Sequence, residues 1–90
     1  MSHTIRDKKK LLARVRRIQG QFEGLERALE AEVPCSEILR QLASIRGATS
    51  GLTAEIVEDH IREHILDAKS PSDRRQGGEE LISVLQTYMK

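Results

Sequence analysis

The fold is decided by residues 35–66, which read CSEILRQLASIRGATSGLTAEIVEDHIREHIL. Apolar side chains recur at helical spacing along this stretch, at Ile38, Leu39, Leu42, Ala43, Ile45, Ala48, Leu52, Ile56 and Val57. This periodicity predicts one long helix, and its apolar face is broad enough to need more than one partner. The middle of the helix, residues 47–51, reads Gly-Ala-Thr-Ser-Gly, and these small side chains favour the close crossing of another helix.

The flanking segments predict two further helices and no strand. An apolar stripe predicts a long helix over residues 5–31, formed by Leu11, Val15, Ile18, Phe22, Leu25 and Leu29. Val33-Pro34 ends this helix, and Gly20 and Gly24 suggest the close approach of a neighbour. A polar linker is predicted over residues 68–78, followed by a short helix over residues 79–89.

The predicted fold class is therefore all-α, with a three-helix protomer. Two long helices cannot bury the broad face of residues 35–66 by themselves. We expect an antiparallel four-helix-bundle dimer that assembles into a tetramer. The 90 residues are enough for a single domain, residues 1–90.

The amino-acid composition limits which classes of protein this chain can belong to. Cys35 is the only cysteine, which excludes an internal disulfide and favours the cytoplasm. Neither a signal peptide nor a membrane span is apparent, so no membrane partner is expected. Residues 1–17 contain seven basic residues and one acidic residue, whereas the rest of the chain is acidic on balance. This asymmetry indicates an end that faces a polyanion, although a solvated helix face would look the same.

Four side chains with metal-binding chemistry stand out: His3, Cys35, His60 and His64. His60 and His64 are four residues apart and share a helix face, an arrangement found at metal sites and also among surface histidines. Cys35 and His60 are 25 residues apart on one helix, a separation of about 37 Å at roughly 1.5 Å per residue. One subunit cannot bring them together, but an antiparallel copy can, with a two-fold axis near the small residues 47–51.

The expected site combines His3, His60 and His64 of one subunit with Cys35 of its partner. The helix over residues 5–31 runs back along the second helix, which brings His3 near His60 and His64. The α-amine is a further candidate ligand, in particular that of Ser2 after removal of Met1. One thiolate and three imidazoles suit Ni(II), Co(II) or Zn(II), and an added amine favours Ni(II) or Co(II) over tetrahedral Zn(II).

Several stretches resemble the CsoR/RcnR family of bacterial repressors. They are ARVRRIQGQ at residues 13–21, Cys35, IRGA at residues 45–48, Gly51-Leu52 and His60. The resemblance covers nearly the whole chain, is weakest over residues 67–80, and is greatest to the nickel/cobalt branch. It implies antiparallel helical dimers that form tetramers, repress efflux genes and release operator DNA when the inducer binds. The family's ligand positions then fall on His3, Cys35, His60 and His64, and His64 argues against copper.

The resemblance also implies that the basic end binds operator DNA. No helix-turn-helix pattern is present, so we expect a flat basic helical face that contacts phosphates and senses DNA shape. Lys10, Arg14 and Arg17 share such a face at spacings of four and three. Arg46 either joins this face or pairs with a neighbouring acid.

Two other functions stay open at this stage. The formaldehyde-responsive branch of the family uses the position of Cys35 together with an N-terminal proline amine. This chain has Ser2 there, yet Arg16-Arg17 and Phe22-Glu23 are similar to that branch. An enzyme or metal-storage bundle is not expected, because no paired Glu-x-x-His motifs occur.

Overall fold

The computed structural model describes residues 3–89. These residues contain helices and no strand, which confirms the all-α prediction. The elements in chain order are α1 (His3–Arg6), α2 (Lys8–Glu30), α3 (Cys35–Ile61), a π-helical turn (Arg62–Leu66) and α4 (Pro71–Tyr88). The chain divides into two compact units. Of the described residues, one unit comprises 7–53 and the other comprises 3–6 together with 54–89.

In the unit of residues 7–53, α2 and the first part of α3 lie antiparallel. The Gln21 amide nitrogen donates to the Ser44 hydroxyl at 3.2 Å. Farther from the connecting turn, the Arg14 guanidinium lies against Gly51. Leu11, Ala28 and Ile45 are the buried apolar residues of this hairpin.

The apolar stripe of α2 consists of two neighbouring lines of residues that differ in exposure. Leu11 is buried and Leu25 is half-buried, whereas Phe22 and Leu29 are 51% and 57% exposed. The exposed residues of the stripe repeat every seven positions from Val15, so they form a second line along α2. The hairpin therefore leaves part of the predicted core face in contact with solvent.

The turn between α2 and α3 closes with hydrogen bonds of the Schellman type. The amides of Val33 and Glu32 donate to the carbonyls of Ala28 and Leu29 at 3.2 and 3.1 Å. Glu32 has φ 55°, a left-handed conformation that glycine adopts more readily than a residue with a β-carbon. Pro34 then follows and cannot continue α2.

Both long helices differ from prediction at the ends that carry histidines. The helix predicted over residues 5–31 is interrupted at Asp7, which separates α1 from α2. The helix predicted to reach Leu66 is α-helical only to Ile61. Beyond it the chain widens into a π-helical turn, in which the Asp67 amide donates to the Arg62 carbonyl at 2.8 Å.

The prediction of a polar linker over residues 68–78 is wrong, because α4 begins at Pro71. Ser70 caps the helix by accepting a hydrogen bond from the Asp73 amide at 3.1 Å. Pro71 occupies the first helical position, where a backbone N–H would have no partner within the helix, so its absence costs nothing. Gly77 and Gly78 lie inside the helix despite their low helix propensity. Gly77 is buried, and its contacts are described with the site below.

Within residues 3–89, no helix combines the length and the apolar character that crossing a membrane requires.

Candidate metal centre

Three histidines from three different elements meet in the unit formed by the N-terminal residues and the residues after Thr53. His3 lies in α1, His60 in the last turn of α3, and His64 in the π-helical turn. One ring nitrogen from each can be chosen so that all three lie within 4.8 Å of one another. The ring centroids of His60 and His64 are 4.8 Å apart, and that of His3 lies 5.5 Å from His64 and 6.2 Å from His60.

His3 is the most enclosed of the three, with 4% of its surface exposed. Its Nδ1 is buried and has no hydrogen-bond partner among the described residues. A buried polar atom without a partner is unfavourable unless another group satisfies it. A metal ion bound through Nδ1 of His3 would satisfy this nitrogen, so the residues present fit a metal ion.

His60 is oriented by the backbone of α4. Its Nε2 lies 2.9 Å from the carbonyl oxygen of Gly77. A carbonyl oxygen can only accept, so Nε2 carries the proton in this hydrogen bond and Nδ1 keeps its lone pair. Metal-binding histidines commonly use their second ring nitrogen in this way, to donate to a carbonyl or carboxylate.

An ion pair links α1 to the π-helical turn. The Arg6 guanidinium lies 3.9 Å from a carboxylate oxygen of Glu63, and the Glu63 side chain is largely covered. Glu63 is not a member of the three-histidine cluster. Together with the burial of His3, this ion pair holds α1 beside His64.

The other predicted ligands either do not belong to this cluster or fall outside the described residues. Cys35 is the first residue of α3, is exposed, and does not belong to the cluster. The Ser2 amine falls outside residues 3–89. Three imidazoles alone leave positions open around a Ni(II), Co(II) or Zn(II) ion, so further ligands can be added.

The residues predicted to bind DNA are found on helices α2 and α3. Lys10, Arg17 and Arg46 are exposed, whereas Arg14 is half-buried. The Nη2 atom of Arg14 lies 3.0 Å from the point that a β-carbon on Gly51 would occupy. Arg46 forms no ion pair within residues 3–89.

Two residues beside the site escaped the sequence analysis. Gly77 and Arg74 of α4 both contact the segment that carries His64. The capping sequence Ser70-Pro71-Ser72-Asp73 was the signal that α4 begins early enough to include them.

Residues 7–87 match the family model described as "Metal-sensitive transcriptional repressor". The chain belongs to this family of repressors. The resemblance to the CsoR/RcnR family is thereby confirmed.

Individual repressors support the assignment over the full length. The transcriptional repressor RcnR of Citrobacter koseri is 43% identical, and the alignment covers 100% of both chains. A variant of the formaldehyde-responsive regulator FrmR from Salmonella enterica serovar Typhimurium has a structure with TM-score 0.84 and 46% identity, covering 96% of this chain and 98% of that one. The nickel-responsive transcriptional regulator InrS gives TM-score 0.76 and 32% identity, covering 89% and 90%. Relatives of this repressor thus include proteins named for responses to nickel and to formaldehyde.

Proposed function

We propose that this repressor binds operator DNA when metal-free and is released by Ni(II) or Co(II), which derepresses metal efflux. The observation that carries the proposal is the three-histidine cluster with the buried, unpartnered Nδ1 of His3. The similarity to nickel-responsive InrS and to RcnR supports the choice of metal. Zn(II) is a weaker candidate, because it favours four ligands, whereas the full proposed set offers more.

The complete site in this proposal takes ligands from two subunits. His3, His60 and His64 supply three nitrogens from one chain, Cys35 of a second copy supplies a thiolate, and the Ser2 amine is a fifth donor. The exposure of Cys35 leaves its sulfur accessible to another chain. When bound, the ion would keep together the segments that carry these ligands.

Oligomerisation follows from the same arrangement and from the exposed apolar side chains. The line of Val15, Phe22 and Leu29 on α2 is exposed, as are Leu39 and Leu42 on α3. A β-carbon on Gly47 would meet nothing within 4 Å in the described residues, so a second helix can approach this position. We propose a homodimer that assembles into a homotetramer, with residues 1–90 acting as one domain in the cytoplasm.

The proposed mechanism is a shift between DNA-binding and DNA-releasing populations. His3 of α1 would hold the ion together with His60 and His64, and Asp7 connects α1 to α2. Helix α2 carries Lys10, Arg14 and Arg17, which we propose contact DNA phosphates together with Arg46 of α3. Metal binding that reorients α2 lowers the affinity for DNA, and DNA lowers the affinity for metal by the same factor. The chain acts in this proposal as a regulator and not as an enzyme.

A formaldehyde-responsive repressor is the second candidate, favoured by the structural similarity to FrmR. In that alternative Cys35 and the N-terminal amine would react with the aldehyde, and His64 would have no role. His64 therefore separates the two functions.

The test measures DNA release from the protein's own promoter region with Ni(II), Co(II), Zn(II) and formaldehyde separately. It compares the parent with His64→Ala and with the control Arg62→Ala, which removes an exposed neighbour paired with Glu58. We expect Ni(II) or Co(II) to release the parent and Arg62→Ala, and His64→Ala to repress but ignore metal. A parent released only by formaldehyde, or a normal metal response in His64→Ala, would replace the nickel/cobalt proposal with the second candidate.

A further inference from the structure

Helix α4 contacts the backbone that carries His64 at Gly77. An ideal β-carbon on Gly77 would lie 2.3 Å from the His64 carbonyl oxygen and 2.9 Å from both its carbonyl carbon and its β-carbon. Two of these three atoms are backbone, which cannot rotate away as the end of a side chain can. Only a residue without a β-carbon allows α4 to approach the π-helical turn this closely.

The same residue orients a second histidine. The Gly77 carbonyl accepts the hydrogen bond from Nε2 of His60 at 2.9 Å. Any movement of α4 away from His64 would therefore also lengthen this bond. Gly78, the next residue, provides a contrast, because a β-carbon there would meet nothing within 4 Å in the described residues.

Arg74 contacts the same turn one helical turn earlier in α4. Its Nε donates to the Ile65 carbonyl at 3.1 Å, and its Nη2 lies 3.5 Å from the Ala68 carbonyl. Carbonyls at the end of a helix lack partners within the helix, so a guanidinium that binds them stabilises the end. Arg75, the next residue, instead pairs with Glu79 of its own helix at 3.2 Å.

We propose that α4 positions the metal ligands: the Gly77 carbonyl sets the tautomer of His60, and Arg74 holds the π-helical turn that presents His64. The inference rests on the proposed metal-binding function, which it deepens by naming two positioning residues. Both act through a ligand and neither contacts the ion. The β-carbon-free contact at Gly77 and the hydrogen bonds of Arg74 are separate observations that point to the same turn.

The experiment uses full-length protein with Co(II) as the probe. Affinity is measured by competition with a chelator, and the ligand field is followed by the visible and near-ultraviolet absorption of bound Co(II). Gly77→Ala and Arg74→Ala are the test variants, and Gly78→Ala and Arg75→Ala are their matched controls. Circular dichroism of each metal-free variant reports whether it has folded.

We expect Gly77→Ala to bind Co(II) about 10- to 100-fold more weakly, as is usual when a partner of a metal-binding histidine is lost. Arg74→Ala should bind about fivefold more weakly, from the loss of a charge-assisted hydrogen bond. Both should alter the Co(II) spectrum, which a general loss of stability would leave unchanged in the bound fraction. The controls should stay within about twofold of the parent.

The possible failures are distinguishable. If the parent does not bind Co(II), the proposed function fails and this inference fails with it. If the parent binds and both test variants match their controls in affinity and spectrum, the metal site stands and the role of α4 is refuted. If Gly77→Ala does not fold, Arg74→Ala decides alone. Equal weakening in Gly77→Ala and Gly78→Ala would show that the effect does not come from the contact between Gly77 and His64, and it would also refute the inference.

Discussion

The adjacent glycines of α4 should respond in opposite directions to the same substitution in the metal-free protein. Alanine is favoured over glycine inside a helix by about 0.8–1.0 kcal/mol. At Gly78 the added methyl meets nothing within 4 Å among the described residues, so the full gain is expected. A gain of about 1 kcal/mol corresponds to a rise in Tm of about 4–8 °C for a domain of this size.

At Gly77 the same gain is outweighed by the contact with His64. The β-carbon would lie 2.3 Å from the His64 carbonyl oxygen, far inside the 3.4 Å at which ordinary contact begins. Displacing α4 by about 1 Å costs about 1–3 kcal/mol as overpacking. Losing the bond from His60 to the Gly77 carbonyl costs about 0.5–1.5 kcal/mol more. After the helix gain is subtracted, Gly77→Ala should lower the free energy of unfolding by about 0.5–3.5 kcal/mol.

The assay is thermal and urea unfolding of the two variants and the parent, followed by circular dichroism with a chelator present. Protein concentration is held constant, because the Tm of an oligomer depends on it. The expected order of stability is Gly78→Ala, parent, Gly77→Ala. Equal stabilisation by the two substitutions would show that α4 does not approach His64 as closely as described.

Two further predictions concern the DNA-binding face and the shared site. Arg17→Ala should weaken DNA binding across sequences and reduce the salt dependence of binding by about one phosphate contact, whereas the control Arg75→Ala should do neither. If Arg17→Ala and the parent have the same salt slope, Arg17 is only solvated and does not contact DNA. In the second, Cys35→Ala chains are mixed with chains that carry both His60→Ala and His64→Ala. The mixture should recover the full metal affinity that neither component has, because one site in each heterodimer keeps all its ligands. Failure to recover it, in mixtures shown to exchange subunits, would place Cys35 outside the site.

The amino-acid sequence by itself determined the long helices. Apolar periodicity is a local property, so α2 and α3 follow from it, as does the turn that Val33-Pro34 imposes between them. The spacing of His60 and His64 likewise puts both rings on one face, whatever surrounds them. The start of α4 could also have been predicted, because Ser70 and Pro71 form a local capping signal. The nearby glycines instead favoured the prediction of a linker.

Only the tertiary structure decided which surfaces those helices use. The sequence shows one apolar stripe along α2, yet in the folded chain Leu11 is buried and Phe22 is exposed. The site depends still more on distant contacts: the partner of His60 is a carbonyl 17 residues away. Every residue has a carbonyl, so no residue type marks the one that a histidine will reach. In the sequence, Gly77 indicates the end of a helix. Only the structure explains why it lies inside α4, because the His64 backbone packs where a β-carbon would be.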